Sequence, residues 1–193
     1  MNHSCDPIGV LIMAYGGPNS LEELPGYLAD IRQGRPTTPA VLEEIGHNYE
    51  QIGGKSPLLE RSTAQANAVA RRLDPDQFRI YLGMRHWAPW IEDVAGQMIA
   101  DGITRAVSIV LAPHYSRMSI ARYQAKVADG LEMYRGHIEF EHVASYHDAP
   151  KLIQAFADRV AAGQAKWPQH EQDTIHVVFS AHSLPVRVLK MGE

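Results

Sequence analysis

Phenol and imidazole groups recur at comparable places along this chain. Tyr15 opens Tyr15-Gly16-Gly17-Pro18. Arg85, His86 and Trp87 follow Met84. His114 and Tyr115 follow Pro113, Tyr146 and His147 follow Ser145, and His182 stands in Ala181-His182-Ser183-Leu184-Pro185. Four of the ten histidines fall in this set. One histidine in a loop is ordinarily a solvated or capping residue. Four at equivalent positions point to a metal, proton-transfer or anion site. An imidazole titrates near pH 6.5 when unperturbed, so it can accept a proton at neutral pH and can also ligate a divalent metal.

Several familiar sites are excluded. Tyr15-Gly16-Gly17-Pro18 lacks the third glycine of a dinucleotide fingerprint, and Pro18 removes an N–H that a pyrophosphate would need. Gly54-Lys55-Ser56 mimics the end of a phosphate-binding P-loop, but Tyr49 replaces the upstream glycine and Pro57 follows. There is no G-x-S-x-G elbow and no H-E-x-x-H helix. The segment GGKSPL at 53–58 reads in two ways. It is a helix–helix connection in which Ser56 caps the next helix, or it is a donor-rich rim for an anionic ligand edge, with Arg32, Arg35 and Lys55 nearby.

The elements that must position these groups follow from the apolar pattern. Continuous or alternating apolar runs predict strands over 8–14, 78–83, 106–111, 138–143 and 175–180. The strict alternation of 138–143 predicts an edge position. Helical periodicity covers 21–32, 40–52, 58–73, 89–100, 119–135 and 150–167, with Pro89 and Pro150 as first helical residues. Strands alternating with helices predict an α/β fold, a doubly wound parallel sheet with helices on both faces. Each cluster then lies at the carboxyl end of a strand, where open α/β sheets bind ligands. The polar, proline-broken stretch 164–173 predicts a domain boundary, with residues 1–168 as one lobe and 169–193 as a linker and the first strand of a second, incomplete lobe.

Composition narrows the function classes. The 193 residues are 45% hydrophobic and 21% charged, which is ordinary for a globular protein. A net charge of -4 argues against nucleic acid as the main partner. The longest apolar runs, such as 107–113, are too short to span a membrane, and residues 1–7 carry no signal-peptide pattern. The single cysteine, Cys5, fits a reducing cytoplasm and excludes a multi-cysteine metal or cluster site within this chain.

Five segments together resemble the ferrochelatases: LIMAYGGP at 11–18, YEQIGGKSPL at 49–58, GMRHWAP at 83–89, VLAPHYSRMS at 110–119 and FSAHSLP at 179–185. They occur in the family's order across nearly the whole chain. The resemblance implies a Rossmann-like lobe on one side of a porphyrin cleft and insertion of ferrous iron into the porphyrin in haem biosynthesis. Tyr15 in M-A-Y-G resembles the branch that acts on coproporphyrin III. By motif match Tyr15 faces the porphyrin centre and ligates the product's iron, and Arg32, Asn48, Tyr49, Ser56 and Tyr123 contact the porphyrin. Asn48 stands where members often carry a basic residue. His182 matches the histidine tied to metal binding and pyrrole deprotonation. Ile12, Met13 and Leu184 are either core or lining for the ring.

The resemblance further implies an amino-terminal portion of a monomeric enzyme, expected to be inactive alone because the acidic partner of His182 lies beyond Glu193. No cofactor is expected within this chain, ferrous iron being a substrate; an iron–sulfur cluster in the remainder is left open. Two alternatives stand beside this reading. One is a short chelatase that dimerises to complete its cleft. The other is a porphyrin- or haem-binding module without turnover.

Overall fold

A computed structural model describes residues 6–181 and Val186. Its centre is a four-stranded sheet, β1 (Ile8–Ala14), β2 (Phe78–Met84), β3 (Arg105–Val110) and β4 (Glu139–Val143), in the order β2-β1-β3-β4. Every pairing is parallel, and β1 is bonded on both sides. β1 reads as an unbroken apolar run because both of its faces are also covered, by the clusters of Leu11 and Met13 on one and of Val10 and Ile12 on the other. β4 lies at an edge, as its alternation predicts.

Because side chains alternate along a strand, β1 feeds two cores. Leu11 and Met13 face one side, where they meet α4 (Ile91–Ala100) and α5 (Ile120–Met133) through Ile91, Val94, Met98, Ile120, Tyr123 and Val127. Val10 and Ile12 face the other side, packing with Ala66 of α3 (Leu58–Ala70). Helices therefore lie on both faces. Ile12 and Met13 are each 1% exposed, so they are core and do not line a ligand surface. Leu184 lies outside the described residues.

A third cluster stands apart from the sheet. Between β1 and α3 the chain forms α1 (Leu24–Ile31) and α2 (Pro39–Gln51). Leu24, Tyr27 and Leu28 are buried there against Leu42, Ile45, Tyr49 and Trp87. Thr38 caps α2 by accepting a hydrogen bond from the Val41 N–H, and Pro39 takes the first helical position, where its missing N–H costs nothing.

Three expectations from the sequence change. Residues 175–180 form no strand; they pair with no other strand among the described residues, and Val178 and Phe179 are 85% and 80% exposed. A strand is held by its ladder partners, and an apolar pattern alone does not supply them. Pro89 precedes the helix rather than opening it: the Ala88–Pro89 peptide is cis, Trp90 is the N-cap and α4 begins at Ile91. The polar stretch 164–173 contains a short helix, α7 (Gln169–Gln172), after α6 (Pro150–Gln164), which does begin at its proline.

The α4–α5 contact is close enough to be tested by one methyl group. A Cβ at Gly130 would lie 2.8 Å from the Glu92 Cα and 2.9 Å from the Glu92 carbonyl oxygen, both backbone atoms that cannot swing away. Alanine would gain up to about 1 kcal/mol of helix propensity. Forcing the helices apart costs about 1–3 kcal/mol. Gly130→Ala is expected to destabilise the fold by roughly 1–2 kcal/mol, read as a lower urea midpoint; a raised midpoint would mean the helices are not this close.

Candidate active site

The carboxyl ends of the four parallel strands share one edge, and the loops leaving β1 and β2 meet the α1–α2 layer there. The chain leaving β1 turns at Gly16, whose φ is +93°. A Cβ there would lie 2.8 Å from the Trp87 backbone nitrogen, and one at Gly17 would lie 2.5 Å from the Ser56 Oγ. The two loops are tied by backbone bonds: Arg85 N–H donates to the Ala14 carbonyl and His86 N–H to the Tyr15 carbonyl, each at 2.9 Å. Ser56 N–H donates to the Pro18 carbonyl at 2.9 Å. This leaves the Tyr15 side chain 44% exposed at the tip of an otherwise buried strand.

Around Tyr15 the groups are fixed by burial and polar contacts. Its ring centre lies 4.5 Å from that of His86. His86 is buried, and its Nδ1 is 2.6 Å from the Asp30 Oδ2 on α1. Burial holds the imidazole below its ordinary pKa; Asp30 pulls it up, and Arg85 pushes it down. Since a carboxylate only accepts, Asp30 places the ring proton on Nδ1 and leaves Nε2 as the free acceptor. Trp87 donates its Nε1–H to the Glu23 Oε2 at 2.5 Å, and its ring meets Tyr27 edge-on. The Arg85 guanidinium lies 5.3 Å from the ring centre of Tyr123.

Four phenols converge here. Burial drives Tyr27 far above the usual range for a phenol, and the nearby Tyr49, Tyr15, Asp30 and Tyr123 add to it. Tyr123 is pushed up to about 12, chiefly by burial, with Arg85 opposing. Both stay protonated at neutral pH, and Tyr27 donates to the Gly16 carbonyl at 3.4 Å. Tyr15, Arg85, Ala112, His114, Tyr115 and Ser116 line a concavity of about 500 Å³, within the usual range of small-molecule sites.

The residues singled out from sequence are distributed unevenly. Tyr15, Tyr49 and Tyr123 share this neighbourhood, and Ser56 packs under the turn that presents Tyr15. Ser56 accepts from the Leu58 N–H just ahead of α3, but the N-cap is Pro57 and α3 has no side-chain cap, so Ser56 does not cap the helix as expected; Gly53 and Gly54 both adopt positive φ. Arg32 sits at the end of α1, where its guanidinium donates to the Pro36 carbonyl and its Nε is buried without a partner among the described residues. Arg35 donates to the Arg32 carbonyl. Asn48 and Lys55 are exposed. His182 lies outside the described residues. The motif at 83–89 contains Arg85 and His86; His86 belongs to the four-histidine set, but the sequence points to neither as a porphyrin contact. The Asp30 and Glu23 carboxylates that hold His86 and Trp87 carried no signal there at all.

An open parallel α/β domain whose phenols, imidazoles and guanidinium gather at the carboxyl ends of its strands belongs to the class that binds a ligand across that edge. A family model described as ferrochelatase matches residues 7–193. The chain is 53% identical over 189 residues to a ferrochelatase of Deinococcus radiodurans, covering 97% of this chain and 60% of that protein. It is 38% identical over 190 residues to a coproporphyrin III ferrochelatase of Bacillus subtilis, covering 96% of this chain and 61% of that protein. A ferrochelatase of Herpetosiphon aurantiacus is 39% identical over 187 residues. The chain belongs to the ferrochelatase family. It spans about three fifths of the length of the curated relatives it matches. No helix among the described residues is long and apolar enough to cross a membrane.

The Asp30–His86 contact has a measurable consequence. His86 is kept neutral in the fold, whereas in the unfolded chain it titrates near the ordinary value of about 6.5. The unfolded chain therefore takes up the proton first, and stability is lost as pH falls below that value. Asp30→Asn removes the group that favours the charged ring. The expected outcome is a further lowering of the His86 pKa, followed by its imidazole proton shifts in an NMR titration; a rise would show that Asp30 does not face the ring.

Proposed function

We propose that this chain forms the porphyrin-binding lobe of a ferrochelatase that inserts ferrous iron into coproporphyrin III during haem biosynthesis in the cytoplasm. The observation that carries this reading is the exposed Tyr15 phenol, at the tip of the central strand and on the wall of a concavity shared with Arg85 and His114. Family membership and the coproporphyrin III ferrochelatase name of several relatives support it.

The chemistry has three requirements, and each has a candidate. A flat, apolar ring needs a wall; Tyr15, Ala112, Tyr115 and Met118 line this one. Four propionates need donors around the rim. Arg85 stacks on the buried Tyr123, so its charge is held in place, and Arg32, Asn48, Tyr49, Ser56 and Tyr123 are the remaining porphyrin contacts carried over by motif match. Two inward N–H protons need a base. That role falls to His182, which also offers a ligand to ferrous iron as it sheds water. Tyr15 supplies an oxygen ligand to the product iron from the lobe's own face. Iron is a substrate here, and no resident cofactor is assigned to this chain. Residues 1–168 constitute the lobe, and the segment from 169 leads toward a second wall.

Tyr15→Phe tests the central assignment. The expected outcome is an altered visible spectrum of bound iron coproporphyrin, because an oxygen ligand is lost, with a much smaller change in affinity for the free-base ring. An unchanged product spectrum would remove Tyr15 from the metal. His182→Ala, in an enzyme with measurable turnover, is expected to lower iron insertion by about 10²–10⁴. The rate is followed anaerobically with ferrous iron and coproporphyrin III; near-normal rates would exclude His182 as the base.

A further inference from the structure

We propose that His114 and His147 form a two-imidazole docking site for a divalent cation of the ferrous or zinc type, on the rim of the cleft that Tyr15 and Arg85 line. The two residues lie on the loops that leave β3 and β4, which are paired in parallel, so both loops emerge at the same edge. Both side chains are exposed. Their ring centres are 5.3 Å apart with 27° between the planes. Two imidazoles sharing one tetrahedral ion at Zn–N distances near 2.0–2.1 Å have ring centres about 5 Å apart. The spacing is that of joint ligands, but the rings stack. Each ring must hold a shared ion in its own plane. His147 therefore stays as Ser145 orients it, and His114, which has no hydrogen bond among the described residues, turns about its side-chain torsions to bring a ring nitrogen to the ion.

The loops are held rather than free. The Pro113 carbonyl accepts from the Tyr146 N–H at 3.0 Å and from the Ser145 Oγ–H at 2.9 Å, and the Tyr146 hydroxyl donates to the Val110 carbonyl at 2.8 Å. Ser145 does a second thing. Its Oγ is 2.7 Å from the His147 Nδ1. Its only hydroxyl proton is committed to Pro113, so it accepts from His147. That puts the His147 ring proton on Nδ1 and frees Nε2 as a lone-pair donor. An outer partner of this kind fixes the ring of a metal-bound histidine and raises its basicity. His114 makes no hydrogen bond among the described residues, and its imidazole borders the concavity.

Two protein ligands leave the other positions to water. The ion is therefore held weakly and exchanges, as suits cargo that must move on, whereas a closed four-ligand site would retain it. That the cargo is ferrous iron rests on the chelatase reading above. The cation site itself does not, and it is tested without porphyrin.

The experiment is a titration of the purified chain with Co²⁺, and in parallel with Zn²⁺, at pH 7.5. One equivalent is expected to broaden the His114 and His147 imidazole NMR signals in the Co²⁺ arm. His114→Ala and His147→Ala are each expected to weaken that equivalent about tenfold or more, and Ser145→Ala about tenfold through the lost outer hydrogen bond. His182→Ala is expected to leave it in place. Broadening in the unaltered protein does not depend on how any variant folds. Unchanged affinity in the His114→Ala/His147→Ala double variant overturns the proposal, as does broadening confined to other histidines. Loss of the equivalent with His182→Ala also overturns it, because the ion would then belong to the chelatase site. A confirmed cation site in a protein that binds no porphyrin would leave this proposal standing and sink the function proposed above.

Discussion

The chain leaving β1 turns through a space with no room for a Cβ. Gly16 passes against the backbone of Trp87, and Gly17 presses on the Ser56 hydroxyl. Much of the site depends on that crowding. It brings the ends of β1 and β2 into register beyond the sheet, through the bonds from Arg85 and His86 to Ala14 and Tyr15. It also pins the start of α3 to the same turn through Ser56 and Pro18. Tyr15 follows directly from a strand that is paired on both sides, so its phenol is presented from the centre of the sheet.

Burial and charge divide the site into two kinds of group. Tyr27 and Tyr123 are buried, and desolvation keeps their phenols protonated. Tyr27 donates to the Gly16 carbonyl. His86 is buried too, and the cost of charging it there outweighs the pull of Asp30. Its role is to be a neutral, oriented ring beside Tyr15. The concavity beside them is lined by Tyr15, Arg85, His114 and Tyr115. A buried scaffold carrying an exposed reactive edge is the arrangement expected when position must be held to a fraction of an ångström.

The sheet is covered unequally. α4 and α5 close one face, joined by the contact of Lys126 with Glu92 and by the close approach at Gly130. On the other face α3 covers β1 and β2, while Ile109 and Leu111 on the β3 side are only partly buried. α6 buries no residue, and its Ile153 and Phe156 are each 53% exposed. In the segment 175–181, which has no secondary structure, Val178 and Phe179 are exposed. The apolar patterns of α6 and of 175–180 are real, yet they find no matching surface among the described residues. That is why a pattern read as a strand does not become one.

What the sequence determined by itself was periodicity and punctuation. Period-two and continuous apolar runs marked β1 to β4 to within a residue or two. Proline and glycine marked some helix ends, because a missing N–H or a positive φ is a property of one residue: Pro150 opens α6, and Gly53 and Gly54 turn between two helices, whereas Pro89 falls short of α4. The alternation of strand and helix forced the strand ends, and with them Tyr15, His86, His114 and His147, onto one edge. What only the tertiary structure decided was partnership. Asp30 reaches His86 across 56 positions, Glu23 reaches Trp87 across 64, and Arg85 lies over Tyr123. Such contacts join residues whose local patterns say only that they belong to a helix or a loop. Whether a histidine is buried and neutral like His86, or paired at the surface like His114 and His147, depends on what packs around it, and that is a property of the assembled chain.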